Sequence, residues 1–351
     1  MLVVIEIVRK KERHIAVKKK VLLQFEDHPY SLMYHYSAFP MGIIQANAKQ
    51  DMTPWLCGKY IDCLYDKNSI NQFTIYPADD WATKEKILLG QNIYLYKELF
   101  RSLYKDQLLQ FRKMLDIGFY VSGLYNEEYI PGKWAYQRQY YMHDFLLIGY
   151  DDIAKEFISV GYLGDGAFQR FNIPYENMRS ALDTLKSETI RYRLWKYNPD
   201  AKFELNLERV VSELSNYLHP TVLAPNGVTD KCRGMNAMRC LAQLYAETAE
   251  SASQIDIRYT RGVMEHKFFM QMRMDYLCKN KLLNNASYAE AANRVYQMAE
   301  RVHMLALKFN FTKKQSLVDT IQNLMCEMLS VETEYLSQVL SDLQSGREVL
   351  K

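Results

Sequence analysis

The sequence has no run of 18 or more apolar residues, so nothing in it is long enough to cross a membrane as a helix. It has no CxxC pair: the six cysteines at 57, 63, 232, 240, 278 and 326 are scattered through 351 residues. That spacing indicates neither a zinc knuckle nor a disulfide framework, and predicts free thiols in a reducing compartment. There is no GxGxxG or Walker lysine loop, no HExxH and no GxSxG elbow. Nucleotide-binding, zinc-protease and serine-hydrolase chemistry thereby lose their usual signatures, and no cofactor or metal is expected. Internal repeats and low-complexity segments are missing too. The start, Met1-Leu2-Val3-Val4-Ile5-Glu6-Ile7-Val8, turns basic only afterwards, the reverse of a secretory signal, and a cytoplasmic protein is expected.

What is present is an ordinary globular composition, 48% hydrophobic and 24% charged, enriched in tyrosine (27) and methionine (17). The net charge of +3 is too mild to argue for nucleic acid. The length exceeds what one core usually supports, so two domains are expected. The positive charge is uneven. Residues 9 to 20 hold seven Lys and Arg against Glu12, which reads as a solvated arm or as a docking patch for an acidic partner.

The chain reads as helical from Tyr34 to Asp66, with Thr53 as N-cap and Pro54 at the first helical position, and helical again over 84 to 116, closed by Gly118. Phe119-Tyr120-Val121 is a strand. A loop carries Asn126 to Lys133, and a hairpin follows, from His143-Asp144-Phe145-Leu146-Leu147-Ile148-Gly149-Tyr150 through the Asp151-Asp152 turn to Leu163. Beyond Tyr197-Asn198-Pro199-Asp200 the pattern is amphipathic helix over 235–250, 259–280, 287–308 and 315–345. Met264 with Phe268, and Met325 with Leu329, fall at core spacing there. The expected architecture is α+β: a domain of residues 1–200 with an antiparallel sheet, then a helical bundle of residues 201–351.

His143 opens a buried strand and reads in one of two ways, as a hydrogen-bonded structural histidine or as a group that exchanges protons near neutrality. A thiol partner is Cys57, placed by this reading in the first turns of the helix begun at Pro54, where the macrodipole would favour a thiolate. Gly58 would let a substrate approach, and the Gln50 amide would help hold an oxyanion. Cys63 falls on another face and reads as core. Glu127 and Glu128 read as solvated loop charges. A second register starts the helix near Tyr34-His35-Tyr36-Ser37, where no cysteine occurs; Cys57 is then structural and Ser37 a replacement nucleophile.

The order of thiol helix, intervening segment and histidine strand is that of papain-like folds. The run His143 to Asp151 with Phe157, Ile158 and Phe168, and Ile173-Pro174-Tyr175-Glu176-Asn177, resembles the histidine hairpin of the papain-like C39-type peptidase superfamily. It is most similar to the branch typified by the N-terminal domain of the butirosin-biosynthesis acyltransferase. Glu128-Tyr129-Ile130-Pro131 and Glu265-His266-Lys267 with Arg273 and Leu277 add to the likeness. The resemblance implies a natural-product pathway and a Cys/His mechanism. Cys57 would take an acyl group from a thioester on an acyl or peptidyl carrier protein, and a small-molecule amine would receive it. His143 would be base and acid. The third member belongs after the next strand, where Gly161 and Tyr162 stand and the nearest carboxylate is Asp165. The basic arm would suit an acidic carrier, and Tyr136, Tyr140 and Tyr141 an acyl or amine cleft. A cysteine peptidase, and a binding protein that has lost its triad, are the competing expectations.

Overall fold

The computed structural model describes residues 19–75, 81–103, 106–220, 231–250 and 254–349. It divides the chain into two compact units, one of residues 1–47 and 82–201, the other of 48–81 and 202–351. The division therefore departs from a single cut at residue 200: residues 48–81 belong with the C-terminal half. Most of the basic arm, residues 9 to 18, lies outside the described residues. Among those described, no helix is long and apolar enough to cross a membrane.

In chain order the first unit opens with strand β1 (Lys20–Leu22) and helix α1 (His35–Asn47). The second unit then takes the single-turn helix α2 (Thr53–Leu56) and strands β2 (Cys63–Asp66) and β3 (Phe73–Ile75). The first resumes with β4 (Leu88–Tyr96), α3 (Gln107–Asp116), β5 (Tyr120–Asn126), β6 (Met142–Asp151), β7 (Glu156–Tyr162), β8 (Phe168–Pro174), α4 (Tyr175–Asp183) and β9 (Thr189–Tyr197). The second closes with α5 (Leu207–Leu218), β10 (Lys231–Arg233), α6 (Gly234–Glu250), α7 (Ile257–Lys279), α8 (Ser287–Thr312) and α9 (Gln315–Val349).

The first unit is an antiparallel sheet in the order β4-β9-β5-β6-β7-β8, with β1 added to β6. The expected hairpin is β6 and β7. Phe145, Leu146, Leu147, Ile148 and Tyr150 are all fully buried, because β6 lies inside the sheet and both of its faces are covered. Helix α1 packs on β6 and β9. Phe111 and Leu115 of α3 reach the same core as Tyr125, Phe145, Phe157 and Ile173. Gly118 (φ +84°) ends α3 as expected, its N–H donating to Leu115 O at 3.0 Å.

Two expected helices are corrected. Within 84–116, residues 88–96 form the edge strand β4, on which Leu89, Tyr94 and Tyr96 are exposed while Leu88 and Leu95 are buried. From Gln91 to Tyr96 shielded and exposed residues alternate, the period of two of an edge strand with one covered face, and Leu88 falls outside that alternation. The stretch from Tyr34 to Asp66 is likewise broken: α1 stops at Asn47, α2 lasts four residues, and Cys63–Asp66 is a strand. Pro54 does sit in the first turn of α2, but Tyr60 at φ +53° lies just beyond its end.

The second unit pairs β10-β2-β3 antiparallel and stacks α7, α8 and α9 in series. Met325 and Leu329 are buried in this bundle, with Met270, Met274, Val295 and Val302. Phe268 sits edge-on to Tyr296, with centroids 5.9 Å apart. Of the two pairs picked out by spacing, Met325 and Leu329 are core, whereas Met264 and Phe268 are only half-buried.

Candidate active site

Histidine 143 stands at the second position of β6, opposite Tyr125 of β5, and so at the mouth of the sheet. The turn that leaves β5 is capped by the Asn126 side chain, which accepts from Glu128 N at 3.2 Å, and it turns Glu127 inward. Glu127 is 3% exposed. His143 Nδ1 donates to Glu127 Oε1 at 3.0 Å, and the Lys133 ammonium lies 3.2 Å from the same oxygen. Lys133 also donates to the Tyr162 carbonyl at 2.7 Å. Burial pushes the Glu127 carboxyl up, but the His143 hydrogen bond and the Lys133 charge outweigh it, leaving Glu127 below its ordinary value. The carboxylate that orients the ring is therefore Glu127, the residue read as a solvated loop charge.

The first residue of α1, His35, occupies the other side. Its ring centroid is 5.1 Å from that of His143. His35 Nδ1 donates to Asp144 Oδ1 at 2.7 Å, while its Nε2 accepts the Tyr162 N–H at 3.3 Å. Because a backbone N–H can only donate, Nε2 must be the bare nitrogen and the proton sits on Nδ1. Phe39 and Tyr162 stack on the ring, and burial pushes His35 below the usual histidine value against the opposing pull of Asp144. His35 is thus fixed, neutral and 7% exposed.

His35, His143 and Asp144 are close enough together to suggest a metal centre. The hydrogen bonds argue otherwise. A cation on His35 Nδ1 would displace Asp144 and move the proton to Nε2, setting two N–H groups against each other at Tyr162. The pattern is that of two imidazoles, each braced by its own carboxylate. Of their four ring nitrogens, His143 Nε2 is the one left for chemistry: it lies 3.8 Å from Asp144 Oδ1, beyond hydrogen-bond distance, on a side chain 39% exposed. Tyr141 lies beside it at 5.6 Å, with Trp134 edge-on to Tyr141, and both are exposed. Tyr140 faces Lys186 instead, and the Tyr136 hydroxyl meets Gln137.

The remaining expected site residues fall elsewhere. Cys57 is the C-cap of α2, at the negative end of a single-turn helix, rather than in the first turn of a long one. It belongs to the second unit, is 1% exposed, and its carbonyl accepts from Arg273 Nε at 2.6 Å. Burial pushes its thiol up to about 11 despite the Arg273 charge, so it is no activated thiolate. Gln50 is an exposed residue of the second unit. Asp165 is exposed in the β7–β8 turn and accepts the Ala167 N–H at 2.9 Å. Ser37 is 2% exposed, and its hydroxyl donates to Ser31 Oγ at 2.9 Å. The register that starts a helix at Tyr34 to Ser37 is the one adopted, and it presents His35 to His143. Reading the sequence missed Glu127, Lys133, Asp144 and His35; the adjacent pair His143-Asp144 was the available signal.

No protein-family model matches the chain, and no curated protein matches it.

Proposed function

We propose that the first unit is a papain-like acyl-transfer domain in which His143 acts as a general base on an incoming amine, without a covalent cysteine intermediate. The observation that carries this reading is the Glu127–His143 hydrogen bond, which holds the proton on Nδ1 and leaves Nε2 as acceptor. As the amine nitrogen attacks the carbonyl of a carrier-bound thioester, its proton passes to Nε2. The C–S bond then breaks, and the departing thiolate takes that proton back. Glu127 stabilises the imidazolium between the two steps. No phosphate loop is needed, because aminolysis of a thioester runs downhill. Tyr141 beside the His143 ring, with Trp134 against Tyr141, offers an exposed aromatic surface for the acyl group or the amine. In the family that the sequence resembles, the helix start facing the histidine is the nucleophile's place, and here it holds His35.

The test is amide formation from acyl N-acetylcysteamine thioesters and primary amines, followed by mass spectrometry. His143→Gln should lower transfer about 10²- to 10⁴-fold, while Cys57→Ser should keep it, with no acylated protein detected. Loss of activity in Cys57→Ser together with an acyl adduct on Cys57 would restore the cysteine mechanism, as either acyltransferase or peptidase.

A second reading is favoured by His35 filling the nucleophile's place: a binding protein that keeps the fold without the chemistry. Its signature is a wild-type chain that binds these thioesters, seen as a shift of the His143 ring resonances, and turns none over.

A further inference from the structure

Of the six cysteines, Cys57 and Cys63 are buried, Cys63 donating to the Gly234 carbonyl at 3.2 Å, Cys278 donates to the Asn285 carbonyl, and Cys326 is exposed. The other two meet. Cys232, the middle residue of β10, and Cys240, near the start of α6, place their sulfurs 2.9 Å apart. An S–S bond is about 2.05 Å, so the pair is unbonded yet closer than sulfurs settle in ordinary contact.

The corner between strand and helix is built to hold this approach. Gly234 turns it at φ +54°, and a Cβ there would meet the Tyr217 carbonyl oxygen at 2.3 Å, so only glycine fits. Asp62 accepts from Gly234 N at 3.0 Å and from Cys63 N at 2.8 Å through one oxygen, and from Arg233 Nε at 2.8 Å through the other. Cys232 is registered opposite Tyr65 in the β10–β2 ladder, and Lys231 pairs with Asp66 at 3.1 Å. With backbone on both sides of Cys232 fixed, little reorganisation separates dithiol from disulfide.

We propose that Cys232 and Cys240 form a reversible redox site, closing to an intramolecular disulfide by exchange with a low-molecular-weight disulfide such as oxidised glutathione. One thiol loses its proton and attacks a glutathione sulfur, expelling one glutathione thiolate and leaving a mixed disulfide. The second thiol attacks the protein sulfur of that mixed disulfide, expels the second glutathione and forms the Cys232–Cys240 bond. The protein loses two electrons and two protons, and one oxidised glutathione becomes two reduced. Burial and the neighbouring Cys232 push the Cys240 thiol up to about 12, and either thiol can make the first attack while the other resolves the mixed disulfide.

Trypsin cuts after Lys231, Arg233 and Arg239, so the two cysteines fall on separate peptides that only a disulfide can join. The full-length reduced chain is equilibrated with graded ratios of oxidised to reduced glutathione, quenched with iodoacetamide, digested and read by mass spectrometry. The expected result is a joined Cys232/Cys240 peptide pair at ratios that leave Cys278 and Cys326 alkylated. In Cys240→Ser, Cys232 should instead collect as a stable glutathione adduct. Separate alkylation of both cysteines at ratios that already glutathionylate Cys326 would overturn the proposal, as would a Cys232–glutathione adduct that persists in the wild-type chain.

Discussion

Each unit buries a lysine against a glutamate, and the two pairs are built to different ends. In the second unit Lys267 meets Glu332 at 2.6 Å with both side chains wholly shielded, and the Tyr217 hydroxyl donates to the same carboxylate oxygen. In the first, Lys133 and Glu127 are nearly as buried, but Glu127 also grips His143, whose ring reaches solvent. The first pair ends on an atom able to accept a proton from outside; the second closes on itself. A buried ion pair is therefore no sign of function until the group it hands its charge to is known.

The largest effect should come from breaking the closed pair. Lys267→Ala leaves the Glu332 charge stranded in the bundle and should cost about 3–5 kcal/mol in chemical denaturation, whereas Lys267→Met combined with Glu332→Leu should recover most of it. Next, His143→Gln should lower transfer about 10²- to 10⁴-fold with little change in stability. If stability falls as far as in Lys267→Ala, the distinction between the pairs fails. Glu127→Gln sharpens it: the ring loses its anionic brace, so kcat should fall while KM for the thioester holds.

A smaller effect is pH dependence. His303 is held down to about 4 by burial, with the Arg261 charge adding to it, whereas its unfolded counterpart protonates near about 6.5. Between those values the unfolded chain binds the extra proton, so stability falls as pH drops from about 6.5 to about 4, at up to about 1.4 kcal/mol per pH unit. His35, also held low by burial, acts in the same direction in the first unit. Glu127 and Asp144, both below their ordinary values, remove further stability only once pH falls beneath the usual carboxylate range. Denaturation midpoints at pH 7.5, 6 and 5 check the sign, and a midpoint rising on acidification would contradict it. The smallest effect expected is on Cys57: iodoacetamide should label it far more slowly than exposed Cys326, and Cys57→Ser should leave transfer unchanged.

The β6–β7 hairpin was legible in the sequence because one continuous apolar run ended in glycine and paired aspartates, and the C-terminal helices because their period of 3.6 runs for many turns. Strands β2, β3 and β10 were not legible. At three or four residues each they carry no period, and partners far along the chain settle their burial. Glu127 escaped for a related reason. A carboxylate in a turn looks solvated until Lys133 and His143, six and sixteen residues further on, are known to converge on it. Cys57 was ranked on an electrostatic argument that needs several helical turns, and α2 has one.

The interleaving of the units bears on how the chain comes into being. Lys20 bonds Asp151 across 131 residues, and Asp66 pairs with Lys231 in the small sheet. During synthesis β1 must therefore wait for the far end of β6, and β2, which can pair at once with β3, must wait for β10 until the first unit has been fully translated. Contacts of such sequence separation are slow to form. A fragment ending at residue 201 would carry residues 48–81 without the helices and strand that cover them, whereas one joining residue 47 directly to residue 82 would carry only what the sheet requires.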